Sequence, residues 1–327
     1  MNNSDPIAER NALARQYLEE GRLNEAIRLF EENLARRRET LGPAHPTTLA
    51  AQNSLASVYR QAGRSQEAVH VLAGLLATQQ NALGPAHPVT LGTQANLASA
   101  YQETGRIYQA VPLLEDALTQ FRGLLGPAHP TTLTAQNNLA SAYQQAGRLD
   151  EAIRLAEDSL TELRRLLGPA HPHTLAAQNN LANTYRQAAK LDDAIALHED
   201  ALARRRQTLG PAHPDTLASQ NNLATAYRDA GRFQEATTLL ADAFAQRCAV
   251  LGPRHPDTLA SQNNLANAYR ELGQLDEAIA LLAGALPTCE AVLGAAHPTT
   301  AVIRASFESA RRAASPAPSS SPESSEE

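Results

Sequence analysis

A chain of 327 residues with a net charge of −6 has no general electrostatic drive toward nucleic acid. Hydrophobic residues make up 43%, much of it Ala and Leu, while aromatics are 4% and Trp is absent. That composition suits many small helix–helix contacts and excludes a sheet core rich in aromatic and β-branched side chains.

In chain order, Ser4 or Asp5 can cap a first helix that has Pro6 in its opening turn. Ile7, Leu13, Ala14 and Tyr17 form its apolar stripe and Gly21 ends it. A second helix is predicted from about Leu23 to Thr40, with Ala26, Ile27, Phe30 and Leu34 on one face. The loop Leu41-Gly42-Pro43-Ala44-His45-Pro46 follows. It returns from Leu83, Leu125, Leu167, Leu209, Leu251 and Leu293, always 42 residues further on, with changes only at Arg254 and Ala295. A fixed period held over most of a chain is the signature of a solenoid, so function becomes a question about a repeated surface.

The repeat from Pro130 to Leu167 shows the unit. Pro130 starts a helix, where its missing N–H costs nothing. Leu133, Leu139, Ala140 and Tyr143 lie on one face and Gly147 stops the helix. A second helix begins near Leu149 with Asp150 and Glu151 in its first turn and Arg164 and Arg165 in its last, both favourable to the helix dipole. Ala152, Ile153, Leu155 and Leu160 supply its apolar surface. Pro112 and Pro287 fall inside second helices and are expected to kink or shorten them. The last helix carries Arg304, Glu308 and Arg311 where earlier copies have Gln, Ala and Tyr, the polar outer face of a terminal cap. The expected division is an N-terminal lead at 1–4, a solenoid of seven helix pairs over 5–313 with its capping helix at about 298–313, and a disordered Ser/Pro/Glu tail at 314–327.

Asn138-Leu139-Ala140, Tyr143, Gly147 and Glu151-Ala152 together resemble a tetratricopeptide repeat (TPR). Where the ordinary form has Trp, this chain has Gln52, Gln94, Gln136, Gln178, Gln220 and Gln262. The 42-residue period and the Leu-Gly-Pro-x-His-Pro-x-Thr-Leu loop resemble the kinesin-light-chain subclass, over roughly residues 5–313. No heptad segment precedes the repeats, so the resemblance is to a stand-alone chain, a bacterial origin being one option. It implies an all-α fold, a right-handed superhelical solenoid of helix-turn-helix repeats with a C-terminal capping helix.

Taking Leu139 as the centre of the buried stripe, a step of 100° per residue turns Asn137, Ser141 and Gln144 away from it. Their equivalents form rows along the first helices, which line the concave side in tetratricopeptide proteins. One row is Asn53, Asn137, Asn179, Asn221 and Asn263; the next is Asn96, Asn138, Asn180, Asn222 and Asn264. A turn later come Ser57, Ser99, Ser141, Asn183, Thr225 and Asn267, then Arg60, Arg186, Arg228 and Arg270. A side-chain amide both donates and accepts, so an Asn ladder suits an extended peptide of any sequence. Arg at the rim would favour carboxylates in the ligand. Similar positions in kinesin-light-chain repeats hold extended cargo peptides, so the resemblance implies the same use. Ala95 and Ser54 interrupt the rows, Gln102 and Gln144 replace Arg, and Glu103, Asp229 and Glu271 bring negative charge near the groove. Equally, an Asn row can bond helix to helix and hold neighbouring repeats in register. The Tyr series from Tyr59 to Tyr269 reads as structural.

The seven loop histidines, His45 to His297, do not read as metal ligands. Ligands of one ion lie about 2 Å from it, whereas equivalent residues of stacked repeats are roughly 8–10 Å apart. Hydrogen bonds to local backbone are expected instead. His70, His173 and His198 are isolated occurrences. No phosphate-cradling loop or nucleophile elbow is present, so neither catalysis nor a cofactor is expected. The first residues lack a leader pattern and no apolar run approaches a membrane span. Cys248 and Cys289 are 41 residues apart, one short of the period, and should not pair. A cytoplasmic setting is expected. The leading reading is a non-enzymatic scaffold that binds an extended, somewhat acidic segment of a protein partner. The alternatives are an accessory bound to a cytoskeletal, tubulin-like filament, and a detached sensor array of a signalling system.

Overall fold

The computed structural model describes the backbone of residues 6–315 and side chains from Arg10 onward. The Ser4/Asp5 cap, the lead at 1–4, the Ile7 contact and the tail beyond residue 315 lie outside the described residues. The described residues form fifteen helices and no strand. The first helices of the pairs, here the A helices, are α1 (Pro6–Glu19), α3 (Pro46–Gln61), α5 (Pro88–Glu103), α7 (Pro130–Gln145), α9 (Pro172–Gln187), α11 (Pro214–Asp229), α13 (Pro256–Glu271) and the capping α15 (Pro298–Ala314). The B helices are α2 (Leu23–Leu41), α4 (Ser65–Leu83), α6 (Ile107–Leu125), α8 (Leu149–Leu167), α10 (Leu191–Leu209), α12 (Phe233–Leu251) and α14 (Leu275–Leu293). They group into two compact units, Met1–Gly168 and Pro169–Glu327.

Local chemistry places each boundary. Between A and B helices the chain needs one left-handed residue: Gly147 has φ 75°, and Arg148 N–H donates to Tyr143 O at 2.8 Å across it. The equivalent of Gly147 one repeat on is Ala189, held at φ 57° with the same bond from Lys190 N–H to Tyr185 O. Between B and A helices, Gly126 takes φ 84°, ψ 163°, and the loop histidine then caps the next helix. His129 Nδ1 accepts from Thr131 N–H at 3.2 Å, directly before Pro130 at the helix start. All seven loop histidines cap in this way.

Within a pair, the residue in the Trp position is a buried clip. Gln136 Nε2 donates to Leu155 O at 2.8 Å, and Gln94 donates to both Leu113 O and Asp116. Between pairs, Tyr143 OH donates to Glu115 at 2.7 Å and Arg148 lies 4.1 Å over the Tyr143 ring. The Tyr59–Glu31 and Tyr227–Glu199 pairs repeat this bond. Burial first, then the bond to the carboxylate, pushes each of these three phenols up to about 12. In the first unit the core is built on Leu72, Leu75, Leu91 and Leu114; in the second, on Leu259, Leu282 and Ile303.

Of the two outcomes expected for the helix prolines, a kink or a shortening, the second does not occur: α6 and α14 each run 19 residues, like α8. Pro112 and Pro287 both lie on the exposed face, so the carbonyls they leave without a donor, on exposed Tyr108 and Ala283, face solvent. The capping helix continues to Ala314, one residue into the expected tail.

Candidate peptide-binding surface on the A helices

In the first unit, Asn53, Asn96, Asn137 and Asn138 are all half-buried on the A-helix side. Asn53 and Asn96 meet: Asn96 Nδ2 donates to Asn53 Oδ1 at 3.0 Å across the α3–α5 seam. At this rung the two predicted rows meet, the first-row Asn of one repeat joined to the second-row Asn of the next. A rung uses one donor and one acceptor. The amide hydrogens of Asn53 and the oxygen of Asn96 remain available, a donor and an acceptor side by side. Beside this rung lies a cavity of about 570 Å³ whose lining includes Asn53, Asn96, Leu49, Leu83 and Gln79. Gln79 is 2% exposed and its Oε1 has no hydrogen-bond partner.

In the second unit the rung is Asn222 Nδ2 to Asn179 Oδ1 at 2.7 Å. Asn180 is exposed; Asn183, Asn221, Asn264 and Asn267 are half-buried, and Asn263 is buried. The Oδ1 atoms of Asn221 and Asn263 are buried without a partner.

The Arg row is not free to meet a ligand carboxylate as expected. Arg60 donates from Nε and Nη2 to Glu103 at 2.9 and 2.6 Å, and its guanidinium holds that carboxyl below the usual carboxylate range. Arg186 bonds Asp229 at 2.7 Å, and Arg228 makes a two-point pair with Glu271. The acids noted near the groove are thus the partners of the row. Arg270 has no acid one repeat on, where Ala313 stands; it reaches Ser309 Oγ at 3.5 Å and its Nε is unpaired.

Sequence reasoning missed Asn11, one period before Asn53, although the period alone places it in the row. Asn33, which donates to Asn11 at 2.9 Å, has no periodic equivalent and gave no signal. On the B-helix side, a cavity of about 600 Å³ lies over Tyr227, Leu223 and Leu239, and one of about 330 Å³ over the equivalent Tyr59, Leu55 and Val71.

Both cysteines are free. Among the described residues no cluster of His, Cys, Asp or Glu could hold a metal ion, and no helix is long and apolar enough to cross a membrane.

The tetratricopeptide repeat family matches residues 6–81, 89–161, 131–207, 173–249, 215–291 and 257–314. No curated protein matches the chain. Among solved structures, the nearly identical TPR-like repeats of a kinesin light chain candidate from Podosopora anserina are 38% identical. They cover 63% of this chain and 97% of that one, with a TM-score of 0.59. BtubC (BKLC) from P. vanneervenii is 24% identical over 76% of this chain and 94% of that one, TM-score 0.56. A tetratricopeptide repeat protein from Parabacteroides merdae is 15% identical over 94% and 100%, TM-score 0.60. The last two likenesses concern the fold alone.

Proposed function

The chain belongs to the tetratricopeptide repeat family, a scaffold fold whose general use is protein interaction, and we propose that it is a non-enzymatic scaffold that holds an extended peptide segment of a partner protein on the A-helix surface. One observation carries this reading: the two Asn rungs each engage one amide N–H and one amide oxygen, and a pair of side-chain amides has donors and an oxygen beyond these. A peptide backbone presents its own N–H and C=O, so a rung can bond it whatever the sequence. The rigid helix pairs hold these groups in place before the ligand arrives, which lowers the entropy lost on binding. Because Arg60, Arg186 and Arg228 are already paired within the chain, a general preference for acidic ligands does not follow from the Arg row.

A random-peptide display library panned on the intact chain tests this. Selected peptides should lose roughly tenfold or more in affinity for Asn53→Ala/Asn96→Ala or Asn179→Ala/Asn222→Ala, two hydrogen bonds being worth about 1 kcal/mol each. Peptides that bind parent and both double variants equally would sink the reading. A site on the B helices, where the cavities over Tyr59 and Tyr227 lie, would then take its place, as attachment to a filament requires.

A further inference from the structure

The cleft between α1 and α3 differs from the rest of the ladder. It encloses about 570 Å³, and its lining includes Asn11, Arg15, Asn33, Arg37, Ala51 and Asn53. Asn33 is 1% exposed, and although its Nδ2 bonds Asn11, its Oδ1 has no partner. Arg37 Nε is also buried without a partner. Asn33 and Arg37 are four residues apart on α2, hence neighbours on one helix face. A buried amide oxygen and a buried guanidinium N–H left unmade in one cleft is a costly arrangement unless something else fills it.

The repeats themselves show what is missing. The position of Arg37 is taken by Arg205 and Arg247 in the fifth and sixth copies. There each guanidinium donates to a hydroxyl on the next A helix, Arg205 to Ser219 and Arg247 to Ser261. In the first copy the serine position is Ala51. Arg37 therefore has the cation of the later copies without its acceptor. Arg15 likewise has no ion-pair partner, and among the described residues no carboxylate lines the cleft. In a chain of net charge −6 in which Arg60, Arg186 and Arg228 of the groove are paired with acids, two arginines without an acid in one cleft stand out.

We propose that this cleft binds a carboxylate-bearing peptide segment, with Arg37 and Arg15 taking the carboxylate and Asn33 Oδ1 accepting a hydrogen bond from a segment N–H. The cleft is the acidic anchor of the peptide reading above, and it rests on that reading. Its volume falls in the range that takes a few residues of a ligand. A guanidinium–carboxylate bond is the stronger, charge-assisted kind, so the anchor fixes which stretch of an extended partner lies at this end.

The test uses the full chain and two probes, acetylated and amidated tetraglutamate and its tetraglutamine counterpart, titrated by calorimetry at low ionic strength. The parent should bind tetraglutamate at least about tenfold more tightly than tetraglutamine. Ala51→Ser, which supplies the hydroxyl found in the later copies, should abolish that preference without lowering the melting temperature; Arg37→Gln should abolish it too. His198→Leu, at a buried B-helix position of the other unit, should leave it unchanged. Equal binding of the two probes by the parent, or a preference that survives in Ala51→Ser and Arg37→Gln, overturns the anchor. Loss of display-selected peptides by the rung variants, with the tetraglutamate preference absent, would overturn the anchor and leave the wider reading standing.

Discussion

His198 occupies a B-helix position that Leu72, Leu114, Leu240 and Leu282 fill in other repeats. It is 2% exposed and its Nε2 has no partner. Burial, and then the charges of Arg186 and Arg205, lower its pKa to about 4. A base whose folded pKa lies below its unfolded value of about 6.5 is protonated earlier in the unfolded chain. Stability is therefore unaffected above about pH 6.5 and falls as pH drops from there toward about 4, by roughly 3 kcal/mol in total. Urea midpoints of the parent at pH 7 and pH 4.5 should show this loss, and His198→Leu should remove most of it. An equal acid loss in both would assign the effect to the carboxylates instead. By residue type His198 reads as an isolated histidine; its register against the leucines of other copies is the sequence signal that places it in the core.

At the scale of the element, the turn after each A helix was legible because glycine announces a left-handed residue. The exception is Ala189, since alanine by itself carries no turn signal. Holding an L side chain at φ 57° costs about 1–2 kcal/mol, partly offset by the greater freedom glycine has when unfolded. Ala189→Gly should raise stability by about 0.5–1 kcal/mol, and Gly147→Ala, the mirror change, should lower it by a similar amount. Chemical denaturation of the pair checks this; a stable Gly147→Ala chain would mean the turn does not need φ near 75°. The two helix prolines taught the opposite lesson. Their presence was legible, but it was their place on the exposed face that let α6 and α14 keep full length.

For the whole molecule, period and pairing were legible at different depths. The 42-residue repeat placed every helix pair and both Asn rows, because identical residues at identical register must share a face. It could not place one row against the other, since a contact such as Asn53 with Asn96 spans 43 residues and depends on how neighbouring pairs stack. The same offset joins Arg60 to Glu103, so acids that read as decoration of the groove are the partners of its cations. In each of the two rungs one donor and one acceptor serve the stack, and the proposed function assigns the remaining donor and acceptor to a ligand.

That division of labour is best tested by reading one variant two ways. For Asn179→Ala/Asn222→Ala, the melting temperature and the affinity for a display-selected peptide are measured on the same preparation. The double variant should show a small stability loss, about 0.5–1.5 kcal/mol for one inter-helix hydrogen bond, together with a loss of roughly tenfold or more in affinity. A variant that melts far below the parent while binding the peptide as tightly as before would show that the rungs only hold the repeats together, and would contradict the account.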